Sequence, residues 1–288
     1  MRSFAMAQRG LDRDSFPMKL FEKAKVFGVW NPSEFDLSQD IQDWRTLTPD
    51  EQRLIIHLTA LFGAGEEAVT LDLLPLIHVI ATEGRIEEEM FLTTFLWEEA
   101  KHTDFFDRFL REVAQFDGDR AAFHGAGYRK LIHEMLPNAL GALKTDTSPT
   151  AQIRASVTYN MIVEGTLAET GYHAFYTILN GRKILPATVQ AIQKLQQDES
   201  RHIAYGLYLL SRLLAENPKE WRTLETTMVQ GLLHVNGIIN DIFSQYKPMP
   251  FNLNVTTFLM YALSQYQKRH HRLSQARKGK IQLDMDSE

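Results

Sequence analysis

Apolar residues recur at three-and-four spacing through four long stretches of this chain, a period that only helices satisfy. Glycine and proline are sparse inside those stretches, and alternating β-branched runs are rare. The pattern predicts an all-α chain. Long helices are expected near 50–82, 86–116, 150–180 and 186–216, with shorter ones near 17–28, 129–144, 220–244 and 254–276. "TPDEQ" at 48–52 is a start signal, with Thr48 as the cap, Pro49 at the first helical position and Glu51 at the third. "SPTAQ" at 148–152 repeats the device. "EGR" at 83–85 and "NGRKILP" at 180–186 read as tight connections, and short connections make antiparallel neighbours. The four long helices therefore pair into two hairpins. No low-complexity linker divides the chain, so 1–288 reads as one domain, with core helices at about 50–216.

The bulk numbers narrow the function. A chain of 288 residues, 44% hydrophobic, can bury a large core. A net charge of −5 argues against a general nucleic-acid partner. There is no cysteine, hence no disulfide, thiolate metal site or cysteine nucleophile, which fits a reducing interior. "MRSFAMAQRG" lacks the apolar region of a signal peptide. No uninterrupted run of about 18 apolar residues is present. The nearest, "TLDLLPLIHVIA", carries Asp72 and Pro75. These features point to a cytoplasmic protein with no transmembrane segment. The basic tail at 267–288 opens with "QKRHHRLSQARKGK" and reads as a solvated helix end, its cations near the negative end of the dipole.

Two Glu-x-x-His pairs occur, "EAKH" at 99–102 and "ESRH" at 199–202. Chance nearly supplies that many, so their placement matters more than their number. Around the second pair, Ile192, Leu195, Glu199, His202, Ile203, Gly206 and Leu210 share one helix face. Around the first, the stripe is Leu92, Phe95, Glu99, His102, Phe106, Leu110 and Val113. The other two long helices each carry one carboxylate in an apolar stripe, Glu66 and Glu164. The inward order is thus Glu, Glu-x-x-His, Glu, Glu-x-x-His. Glu66 and Glu99 are 33 residues apart, Glu164 and Glu199 35, so the hairpins have matching dimensions.

Four carboxylates converging in a core repel one another and resist ionisation. Two divalent cations cancel the charge, and neutral imidazoles complete the coordination. Glutamate oxygens with histidine nitrogens suit iron or manganese better than zinc. Asp198, just before Glu199, is a candidate outer partner for an imidazole ligand. Ser200 and Arg201 fall off the stripe and read as facing solvent or a neighbouring helix. The other histidines, among them His57, His78, His173, His270 and His271, lack a matching partner and read as structural or solvated.

At these residues the chain resembles ferritin-like proteins of the ribonucleotide reductase small-subunit type. "FGAGEEAVTLDLLP", "FLWEEAKH", "YNMIVEGTLAETGY" and "DESRH" resemble, more narrowly, the ligand-binding oxidases of that superfamily. The upstream "LFEKAKVFGVWNP" and "DLSQD" match as well. The resemblance covers about 17–215 and weakens toward 275. It implies a ferritin-like four-helix bundle with flanking helices and a mixed manganese/iron site, with Fe/Fe as the variant. Glu66, Glu99 and His102 would serve one metal, Glu164, Glu199 and His202 the other, with Glu99 bridging. It further implies dioxygen as co-substrate, a long-chain fatty acid whose carboxylate bridges the metals, an ether cross-link between Val69 and Tyr159, and a homodimer. Val69 lies three residues after Glu66, so spacing also supports its nearness. Tyr159 lies five before Glu164, about 140° round an ideal α-helix, so its role rests on the resemblance.

Two other classes compete. A radical-generating reductase subunit would carry a tyrosine four residues after the first ligand histidine and another in a terminal segment. Here the first position is Phe106, and the last tyrosine is Tyr266. A non-catalytic metal or fatty-acid binding protein leaves the additional C-terminal helices unexplained.

Overall fold

The computed structural model describes residues 4–277, and all regular structure among them is helical. The principal helices are α1 (Phe16–Phe27), α2 (Ser38–Trp44), α3 (Pro49–Asp72), α4 (Leu74–Thr82), α5 (Ile86–Arg108), α6 (Pro149–Ser156), α7 (Glu169–Arg182), α8 (Pro186–Glu216), α9 (Trp221–Ser244) and α10 (Val255–Arg277). A π-helical stretch, Val157–Ala168, joins α6 to α7 in one continuous rod. Helix α3 packs along α5, and the rod from α6 to α7 packs along α8, giving the two expected hairpins. Helix α1 lies across α5 and α8, while α9 and α10 cover the π stretch.

Four expected helices are interrupted. The one at 129–144 divides into a π stretch at Arg129–Met135, an α-helical turn at Leu136–Gly141 and a 3-10 turn at Ala142–Lys144. The segment at 50–82 bends at Leu73, because Pro75 lacks an N–H and crowds the carbonyl of Leu71. The segment at 86–116 passes into a π turn at Phe109–Val113. The segment at 150–180 contains the π stretch, which the α-period reading of its face did not anticipate. Taken together, Pro49–Thr82 is long and apolar enough to cross a membrane by length and composition alone, at a mean hydropathy of 1.3. Half of that window is buried inside the bundle, Glu66 with it.

The start signals work as the sequence suggests. Glu51 N–H donates to Thr48 Oγ1 at 3.3 Å, and Thr48 N–H donates to Glu51 Oε2 at 2.9 Å. Ala151 N–H donates to Ser148 Oγ at 3.3 Å. Helix α8 is capped from outside. Asp40 of α2, fully buried, accepts from the N–H groups of Ala187 (3.0 Å) and Thr188 (2.8 Å) and from Thr188 Oγ1 (2.6 Å). Asp43 accepts from Leu185 N–H at 2.8 Å, holding that residue at φ +54°. A short helix absent from the sequence reading thus fixes the start of the longest one.

The core is rich in aromatics. Phe62 stacks on Phe106 and Tyr172 with centroids 5.1 and 5.0 Å away. Gly171 permits this, since a Cβ there would stand 2.3 Å from Phe62 Cε2. Each ring fully removed from water contributes about 1.5–3 kcal/mol. The described part of the basic tail packs rather than dangles: Arg269 and Leu273 are buried, and the Arg277 guanidinium lies 5.0 Å over the Trp221 ring. The rest of that tail, 278–288, lies outside the described residues.

Candidate metal centre

Glu66 from α3, Glu99 and His102 from α5, Glu164 from the π stretch, and Glu199 and His202 from α8 converge at one buried point. They form two overlapping groups, Glu66–Glu99–His102–Glu199 and Glu99–Glu164–Glu199–His202, each with its donor atoms within 4.8 Å of one another. His102 Nδ1 stands 3.5 Å from Glu66 Oε2, 3.7 Å from Glu99 Oε2 and 3.3 Å from Glu199 Oε1. His202 Nδ1 stands 3.0 Å from Glu99 Oε1, 3.7 Å from Glu164 Oε1 and 3.4 Å from Glu199 Oε2. Glu99 and Glu199 therefore each turn one oxygen to either histidine. The resemblance assigned that bridging position to Glu99 alone.

The donor set fits a pair of metal ions. Ligands held about 2.0–2.2 Å from one ion at roughly right angles stand about 3 Å apart, which is the scale of these separations. Five buried polar atoms here have no hydrogen-bond partner in the protein: Glu99 Oε2, His102 Nδ1, Glu164 Oε1, Glu199 Oε2 and His202 Nδ1. Buried polar atoms without partners are rare, and these five all face one another. Burial, then the charge of Glu99, pushes Glu66 well above the usual carboxylate range; burial and Glu199 do the same to Glu164. Burial also opposes ionisation of Glu99, but the two imidazoles beside it hold it below that range.

Tyr159 is drawn in by the π stretch. Five residues separate it from Glu164, and the i to i+5 bonding of a π-helix puts residues five apart on nearly one face. Its hydroxyl donates to Glu99 Oε1 at 3.1 Å. Burial and the Glu99 charge push the phenol well above its ordinary value, so it keeps its proton. Val69, also buried, lines an apolar cavity together with Glu66, Glu99, Glu164 and Glu199.

The outer layer is larger than the sequence suggested. Asp198, fully buried, faces His102 Nε2 at 3.3 Å. It also accepts from Trp30 Nε1 at 2.8 Å and pairs with Lys101 at 3.3 Å. Glu98, absent from the sequence reading, faces His202 Nε2 at 2.8 Å. Its signal was available: it precedes Glu99 as Asp198 precedes Glu199. Of the two orientations expected for Arg201, the structure has the neighbouring helix: it is buried between Glu98 of α5 and Asp198. Ser200 is half-buried and donates to Gln197 O. Asn160 Nδ2 donates to Glu164 Oε2 at 3.0 Å, and Tyr172 lies 3.4 Å from Glu199 Oε1. The remaining histidines pack elsewhere: His57 against Tyr246, His173 on Tyr261, His270 beside Trp221.

Comparison with known proteins gives the same direction. Residues 19–259 match the family model described as ribonucleotide reductase, small chain. Among solved structures, a variant of an R2-like ligand-binding oxidase with aerobically reconstituted Mn/Fe cofactor is 36% identical, covers 94% of this chain and 99% of its own, and superposes with a TM-score of 0.90. Another variant of that oxidase, with Fe/Fe cofactor, is also 36% identical over 94% of this chain and 98% of its own, with a TM-score of 0.90. The oxidase after a long soak, with Mn/Fe, is 37% identical over 94% and 97%, again at 0.90. The fold is accordingly the ferritin-like helical bundle with added helices. This chain belongs to the ribonucleotide reductase small-chain family, and within it to the R2-like ligand-binding oxidases.

Proposed function

We propose that the chain is a two-electron oxidase that holds manganese and iron, with Fe/Fe as the variant, on Glu66, Glu99, His102, Glu164, Glu199 and His202. It uses dioxygen, binds a long-chain fatty acid or similar apolar carboxylate, and joins Val69 to Tyr159 through an ether bond. The observation that carries this reading is one shared cavity: Val69 and the four carboxylates line it, and the Tyr159 hydroxyl lies 3.1 Å from one of those carboxylates. Such a metal pair supplies redox and Lewis-acid chemistry toward dioxygen.

The residues divide the remaining work. Tyr159 presents its O–H to Glu99, which accepts the proton when the phenol oxygen bonds to a Val69 carbon. The link removes one hydrogen from each residue and two electrons in all, which dioxygen takes. The cavity wall is apolar beyond the carboxylates, with Leu58, Ile132, Ile238 and Phe258 among its lining, and suits an acyl chain with its carboxylate at the metal end. It also keeps water from the oxidising site. The absence of cysteine suits a reducing cytoplasm, and the family resemblance supports a homodimer. The reductase-subunit reading is less favoured: Phe106 is buried against Phe62, with no phenol at that position.

The test is to load metal-free protein with manganese and iron without oxygen, then admit air. Intact mass should fall by roughly 2 Da, mapped to a Val69–Tyr159 linked peptide. Tyr159→Phe should keep its full mass, and denaturing extraction should release a fatty acid. Unlinked peptides from the wild type would sink the cross-link, and metal binding unaffected by Glu199→Ala would sink the site.

A further inference from the structure

The outer carboxylates are crossed between the hairpins. Glu98 sits beside Glu99 on α5 but supports His202 of α8. Asp198 sits beside Glu199 on α8 but supports His102 of α5. Arg201 closes the figure. Its Nη2 donates to Glu98 Oε1 at 2.6 Å and to Asp198 Oδ1 at 2.5 Å, while Nη1 donates to Gln197 O at 2.9 Å. Glu98 and Asp198 are fully buried and Arg201 is 4% exposed. The backbone of α1's end presses on this group: a Cβ on Gly28 would lie 2.1 Å from Glu98 Oε1 and 3.2 Å from Arg201 Nη2. The Gly28 carbonyl accepts from Lys101 Nζ at 2.6 Å.

Charge accounting gives the arrangement its meaning. Glu98 and Asp198 carry two negative charges, Arg201 and Lys101 two positive ones. The outer layer is therefore neutral by itself and leaves the inner glutamates to be balanced by metal. A carboxylate that accepts an imidazole N–H fixes the ring and raises the basicity of its other nitrogen. It does so only while it is itself held in place. For Glu98, the guanidinium is the only holding donor besides the histidine among the described residues. For Asp198, it is one of three, with Trp30 and Lys101. The guanidinium plane, anchored through Nη1 on Gln197 O, holds Nη2 between the two carboxylates; an ammonium is a point charge on a flexible stem and lacks that second anchor.

We propose that Arg201 is a positioning residue for both histidine ligands at once: by clamping Glu98 to Asp198 it aims His202 and His102, so the affinities of the two metal positions depend on one guanidinium. The inference rests on the metal-centre reading above, and its test separates the two. Metal-free full-length protein is titrated with cobalt(II), whose visible bands report both binding and coordination geometry. Glu66→Ala and Glu164→Ala backgrounds each leave one position to be read alone.

Arg201→Lys keeps the charge and should weaken cobalt binding at both positions by about tenfold, and Arg201→Gln by up to about a hundredfold. Glu98→Gln should weaken only the position served by His202, and Asp198→Asn only that served by His102. A residue needed for folding alone would lower the thermal midpoint of the metal-free protein and leave cobalt affinity and bands unchanged. Affinity within twofold of wild type at either position in both Arg201 variants overturns the proposal. If Gln prevents folding, Lys carries the test with the same limits. Cobalt binding insensitive to both Glu66→Ala and Glu164→Ala instead overturns the metal-centre reading itself.

Discussion

Gly206 is the position where helix propensity and packing disagree most sharply. It lies in α8 one turn beyond His202, and replacing an interior helical glycine with alanine is ordinarily worth about 1 kcal/mol in stability. Here the new Cβ would stand 2.3 Å from Asn160 Cβ, 2.6 Å from its Cγ and 2.9 Å from its Oδ1. The nearest atom is next to the backbone, so no rotamer change relieves it; α8 and the π stretch must part. Overpacking of this kind costs about 1–3 kcal/mol. Asn160 is also pinned, accepting from Ser156 Oγ at 2.9 Å and donating to Glu164 at 3.0 Å. Displacing it leaves buried groups unpaired, at about 1–3 kcal/mol more. The balance is a net loss of about 1–5 kcal/mol for Gly206→Ala, seen in urea midpoints, together with weaker metal binding through the loosened Glu164. Asn160→Gly removes the clashing Cβ, so the pair should couple by at least about 1 kcal/mol in a double-mutant cycle. A Gly206→Ala protein more stable than wild type, with unchanged metal affinity, would refute the packing argument.

Two further outcomes follow from buried polar groups. Asp40→Ala strips the acceptor from three donors at the start of α8 and should cost about 2–4 kcal/mol by chemical denaturation, Asp40→Asn distinctly less; a loss below about 0.5 kcal/mol contradicts capping in trans. Burial lowers His57 to about 4 from 6.5, so the unfolded chain takes up the proton first and stability is lost as pH falls from about 6.5 to 4. That loss amounts to about 3 kcal/mol, and His57→Gln should flatten the pH dependence of the urea midpoint in that window.

Much of the bundle was legible because its period is long and its caps are local. Thr48, Pro49 and Glu51 act within one turn, so sequence spacing is their geometry. The six converging residues were legible for a related reason: each sits inside an apolar stripe where a charge needs a partner. Tyr159 was not, because the reading assumed α geometry and the chain is π-helical at 157–168. Asp40 was not, because its donors lie 147 and 148 residues away and seven residues are too few to show a period. For Arg201, spacing left solvent and a neighbouring helix both open, because the partner that decides between them, Glu98, comes from another hairpin. Burial of an ion-paired guanidinium is a tertiary event that spacing on its own helix does not encode.

The inner carboxylates make a sharper statement about how the centre fills. Burial opposes ionisation of Glu99, at the middle, but the two imidazoles beside it hold it below the usual carboxylate range, whereas Glu66 and Glu164, at the two ends, are pushed well above that range, first by burial. His102 and His202 are raised well above 6.5, because their carboxylate partners outweigh burial. The direction of these shifts favours protons on the end glutamates and the imidazoles of the metal-free chain, and the ionised form of Glu99. For folding, all four raised groups act with one sign: the metal-free protein loses stability as pH rises through their shifted values. Cations displace the protons that these groups hold, so binding should release protons. Calorimetric titration of manganese(II) at pH 7, in two buffers of different ionisation enthalpy, counts them, and apparent affinity should climb from pH 6 to 8. Affinity flat across that range with no protons released would mean that the end carboxylates are already ionised without metal.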